Sequence, residues 1–67
     1  MTAKSKMIEV GRTEVGIAKA RHNAGTRKDE CYADAKRNYV VAQRSVGAHD
    51  EQMYDQFIAD LCEAIGY

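Results

Sequence analysis

The last third of the chain constrains the fold more than any other part. Between Asp50 and Gly66, the residues Met53, Tyr54, Phe57, Ile58, Leu61, Ala64 and Ile65 recur three and four positions apart, and Gln52, Asp55, Gln56, Ala59, Asp60 and Glu63 fill the gaps. That spacing places the apolar side chains on one face of an α-helix and the acids Asp55, Asp60 and Glu63 on the other. A helix so divided needs an apolar surface to cover it. The rest of a 67-residue chain must supply that surface.

Proline is absent, so glycine carries the punctuation. Gly25 and Gly47 divide the chain into three segments, predicting helices over about residues 5–24, 27–46 and 50–65. Thr26 is expected to accept hydrogen bonds from the free amides that open the second helix, with Asp29 three residues on. Asp50, with His49 as the alternative, takes that role for the third. Connections this short set consecutive helices side by side and antiparallel.

In the second segment Tyr32, Ala35, Tyr39, Ala42 and Val46 form a seam of alternating large and small side chains. The other face mixes Ala33 and Val40 with Lys36, Arg37 and Arg44. Such a mixture suits a second contact better than plain solvation. The first segment has two readings. Its β-branched residues and glycines admit a β-hairpin at residues 6–17 turning at Gly11-Arg12. The helical reading is preferred, because the run continues into the helix-favouring stretch Ala18 to Ala24. As a helix it carries two apolar stripes, Ile8/Gly11/Val15/Ala18/His22 and Val10/Ile17, with Glu14 and Arg21 between them. The expected class is therefore all-α: a single domain, residues 1–67, built as a small three-helix bundle with helices two and three facing each other across the core.

A chain of this length buries only roughly 60% of the surface its unfolded form exposes, so self-association is a natural remedy. Disorder is the wrong class, because 45% of residues are hydrophobic and the net charge is zero. Cys31 and Cys62 form one bridge at most, and read as apolar thiols in a reducing, cytoplasmic setting. The basic stretch before Met7 leads into Glu9, Arg12 and Glu14, which leaves no apolar leader and no membrane span.

Chemistry has little material. The histidines are His22 and His49, and no nucleophile elbow, phosphate-cradling glycine loop or His-Glu-x-x-His pattern occurs. A zinc site from His22, Cys31, His49 and Cys62 has the right ligand types at no recognised spacing. The expectation is no enzyme, no metal and no cofactor.

Charge says more. Residues 1–46 hold ten bases against five acids, while the tail holds Asp50, Glu51, Asp55, Asp60 and Glu63 with no base. A neutral chain is thus about +5 in front and −5 behind, a polarity that favours recognition and steering. The function expected is a small non-catalytic interaction protein of the regulator, adaptor or inhibitor type, binding a protein partner as a homodimer. Its contact residues would be Ala33, Lys36, Arg37, Val40 and Arg44 with Val10 and Ile17, and its acidic face Asp55, Asp60 and Glu63. The alternative is a nucleic-acid-binding regulator using Lys4, Lys6, Lys19, Arg21, Arg27, Lys28, Lys36, Arg37 and Arg44 about a helix-turn-helix-like bend at Gly25. It ranks second because those bases spread around two helices and the acidic tail repels phosphate.

Overall fold

A computed structural model describes residues 2–67 as three helices: α1 (Ala3–Asn23), α2 (Lys28–Val46) and α3 (Glu51–Ile65). They run up, down and up. Arg21 near the end of α1 meets Asp34 in the first half of α2 at 2.7 Å, and Lys28 at the start of α2 reaches the Gly66 carbonyl after α3 at 3.0 Å. The bundle measures 35 × 17 × 16 Å. Its long axis is set by the 21 residues of α1, each adding about 1.5 Å.

The hairpin alternative at 6–17 does not form, and α1 passes unbroken through Gly11-Arg12. The helix gives Met7, Gly11 and Ala18 a common inward stripe, because intervals of four and seven residues return to one helix face. Met7 and Ala18 are each 2% exposed. A Cβ on Gly11 would stand 3.5 Å from Phe57 Cδ1 and 3.6 Å from Tyr39 Cε2, so this glycine sits against the aromatic core rather than in a turn. Thr2 caps the helix, its Oγ1 accepting from the Ser5 N–H at 3.1 Å.

Helices α2 and α3 face each other through their aromatic residues as expected, and α1 takes the larger share of the packing. The contact between α2 and α3 is the slightest of the three, and α1 packs on both. Small side chains explain this. Gly11 lets aromatic residues of the other two helices approach the α1 backbone, and Ala18 is buried with only a methyl group. Over Gly11 the rings of Tyr39 and Phe57 stack, 4.1 Å between centroids and 11° between planes. Tyr54 tilts against Tyr39 at 5.9 Å. Leu61, Ile65, Cys31 and Ala35 complete the buried core. On α2 the inward stripe is Cys31, Ala35, Tyr39 and Gln43, so Tyr32, Ala42 and Val46 flank it as half-buried neighbours.

The helix ends show which cap residues act. Asp50 Oδ1 accepts from the Met53 N–H at 3.1 Å. Thr26 does not cap α2, whose cap position is Arg27 with no side-chain hydrogen bond. The Thr26 carbonyl instead accepts from Cys31 Sγ at 3.8 Å, while Asp29 and Glu30 complement the positive helix end. All three helices close on a glycine of positive φ, Gly25, Gly47 and Gly66. The amide after each glycine returns to a carbonyl five residues back: Thr26 to Arg21, Ala48 to Gln43 and Tyr67 to Cys62. The last turn of α3 has no base of its own. Lys28 supplies one from α2.

Candidate interaction surfaces

Polar ties between helices hold the surfaces in register. Asp34 on α2 accepts from Arg21 of α1 at 2.7 Å and from Arg37 at 2.8 Å. Asn38 Nδ2 donates to Glu14 Oε1 at 3.1 Å. The bond from Arg21 holds the Asp34 carboxyl below its ordinary range, and the same bond raises the Arg21 guanidinium. Burial raises the Tyr39 phenol, with a smaller push from the Asp50 carboxylate. Each shift has a structural cause.

Cys31 is buried and Cys62 half-buried, both as free thiols. Among the described residues no three His, Cys, Asp or Glu side chains gather where a metal ion could be held, so His22, Cys31, His49 and Cys62 do not assemble into one site. The Nδ1 atom of His22 is buried without a hydrogen-bond partner. No helix among the described residues is long and apolar enough to cross a membrane.

Two concave surfaces stand out. The first runs along α2 and is lined by Tyr32, Ala33, Lys36, Arg37, Val40, Val41 and Arg44, with a volume of about 480 Å³. Five of these are the mixed face read from sequence: Ala33, Lys36, Arg37, Val40 and Arg44. One helix turns them all to the same side because they recur at three- and four-residue intervals. Val41 is 59% exposed there. At one end Lys36 Nζ lies 5.8 Å from the centroid of the Tyr32 ring, and Tyr67 packs on that ring at 5.0 Å. The C-terminal tyrosine is therefore held against α2. Tyr32, Val41 and Tyr67 were not among the expected contact residues. The Tyr32–Tyr67 contact joins residues 35 positions apart, which helical spacing alone does not display.

The second surface is a groove of about 540 Å³ between α1 and α3, lined by Met7, Ile8, Gly11, Arg12, Val15, Gly16, Tyr39, Met53, Gln56, Phe57 and Asp60. Its floor is the aromatic stack and its rims carry Arg12 and Asp60. Sequence reasoning placed only Asp60 on a functional face. The signal it passed over was Gly16, a helix-interior glycine with no turn to make.

The remaining expected residues are dispersed. Val10 is half-buried against the core, on the α1 flank that also carries Glu14 and Arg21 toward α2. Ile17 is 47% exposed and lines neither surface. Asp55, Asp60 and Glu63 are exposed on α3, Asp60 accepting from Gln56 Nε2 at 2.9 Å. Among the described residues, ion pairs occur only between Arg21, Arg27 or Arg37 and Asp29 or Asp34. The five tail acids form none, so folding leaves the charge split unneutralised.

Comparison of the chain with known protein families, with curated proteins and with solved structures finds no match.

Proposed function

We propose that this chain is a small non-catalytic interaction protein, a cytoplasmic regulator, adaptor or inhibitor in type, which acts as a homodimer and recognises a protein partner through the mixed face of α2. One observation carries the reading. The bundle buries the opposite side of α2 and leaves Val40, Val41, Lys36 and Arg44 together on a concave surface about 480 Å³ in volume. Apolar contact supplies affinity at such a face, and the cations select the sign of the partner. The fitting partner is an acidic amphipathic segment. Its apolar residues would meet Val40 and Val41, and its carboxylates Lys36 and Arg44.

The nucleic-acid reading has weaker support. Of the bases it needs, Arg21 and Arg37 are held by Asp34, Arg27 by Asp29 and Lys28 by the Gly66 carbonyl. A phosphate backbone would have to compete for each.

Affinity capture from the native host tests the assignment, with nuclease-treated lysate and wild type run beside Val40→Glu/Arg44→Glu. Arg44 is exposed and half-buried Val40 lies outside the core, and circular dichroism checks that the variant keeps its helices. The expected result is a protein retained by wild type and lost by the variant. Equal retention by both would place the contact elsewhere. Retention of nucleic acid, with affinity falling steeply as salt rises, would favour the second reading.

A further inference from the structure

We infer that the groove between α1 and α3 seats a second copy of this chain, with the two α1 helices crossing antiparallel about a twofold axis beside Arg12. This gives the homodimer of the proposed function its contact surface, and it leaves the α2 face free for the other partner.

Gly16 is the first observation. A Cβ built there meets nothing within 4 Å, so no contact among the described residues requires a glycine. Gly in a helix interior is less stable than Ala, and the backbone at residue 16 carries that cost openly. A bare helix backbone admits close approach from outside. Ile8 is the second observation. It lines the same groove and is 45% exposed, one of the few large apolar side chains left in water. Ile8 and Gly16 lie about one helical turn on either side of Arg12. In an antiparallel pair centred on Arg12, Ile8 of each copy therefore falls opposite Gly16 of the other, a knob facing a hole in both directions. A twofold contact requires self-complementarity of this kind.

Charge agrees with shape. Arg12 on α1 and Asp60 on α3 stand on opposite rims of the groove, and neither forms an ion pair among the described residues. Because α1 and α3 run in the same direction, Asp60 lies toward the Gly16 end. The same register sets the two Arg12 side chains beside each other at the axis, and each guanidinium turns off the axis to the Asp60 rim of the other copy, twice per dimer. Beneath these pairs Met53, Phe57 and Gly11 give the groove an apolar floor.

The test uses sedimentation equilibrium with four full-length chains, each checked for helix content by circular dichroism. Wild type is expected to be a dimer. Gly16→Leu fills the hole without touching the core, and should weaken association about tenfold or more while leaving the monomer folded. Arg12→Glu and Asp60→Lys each set like charges against each other in the homodimer, and each should sediment as monomer where wild type is dimer. Mixed together they should form a heterodimer, since both rims then oppose opposite charges.

Recovery of a dimer only on mixing supports the seat, and no merely structural role for Arg12 or Asp60 produces it. A wild type that stays monomeric at every concentration overturns the seat together with the homodimer reading, and leaves the groove to a different occupant. A wild-type dimer that all three variants preserve overturns the seat alone. Capture through α2 is unaffected by either outcome.

Discussion

Tyr39 concentrates the packing of the molecule in one side chain. It is 2% exposed, stacks on Phe57, touches Tyr54 and lies over Gly11. The aromatic spacing on α2 and α3 made Tyr39 and Phe57 readable as core residues, whereas the role of Gly11 as their floor depends on three helices meeting and has no local signature. At that glycine, Ala fits at ordinary contact distance, so Gly11→Ala should leave the thermal midpoint unchanged or higher, while Gly11→Leu should lower it sharply by displacing the stack. Leu61 is fully enclosed, and Leu61→Ala should cost about 2–5 kcal/mol in urea unfolding. Two titrations mark the edges of stability. The Asp34 carboxyl is lowered on folding, so its contribution is present above the ordinary value of 3.8 and is lost as pH falls through the lower folded value. Acid unfolding of Asp34→Asn should lack that limb. The Tyr39 phenol is raised, so its contribution is present below 10.0 and is lost as pH climbs through the folded value. Tyr39→Phe should move the alkaline limb upward.

Among the helices, α3 was the most readable and α1 the least. An unbroken three-and-four spacing announces α3, and its cap Asp50 acts as its position predicts. Replacing Asp50 with Ala should destabilise the protein by about 0.5–2 kcal/mol, whereas Thr26→Ala should change stability little, because Thr26 is used through its backbone N–H and carbonyl and not through its side chain. In α1, propensity argued against the structure. Its glycines and β-branched residues fit a hairpin locally, and tertiary packing outweighs that preference by burying Met7 and Ala18 between two neighbours. The expected facing of α2 and α3 holds at the Tyr39–Phe57 stack, but the central place of α1 was hidden for a related reason. Small residues such as Gly11 and Ala18 look weak in a hydrophobic pattern, yet they let α1 become the centre of the bundle.

At the scale of the whole molecule, the polarity visible in the chain persists after folding. Arg21 and Arg37 are held by Asp34, Lys36 and Arg44 remain on the α2 surface, and the α3 acids pair with no base among the described residues. The mixed face was readable because one helix carries it at regular spacing. The groove was not, because its walls come from residues 7–16 and 53–60, joined only by folding. In the proposed molecule the two surfaces have separate roles: α2 for the target, the groove for the twin. The most direct measurement is an NMR titration of the ¹⁵N-labelled protein with the partner retained by wild type in capture. Shift changes concentrated at Tyr32, Lys36, Val40, Val41 and Arg44, with the α1–α3 groove unperturbed, are the predicted result. Changes centred on α3 or on the groove, with the α2 face silent, would contradict it.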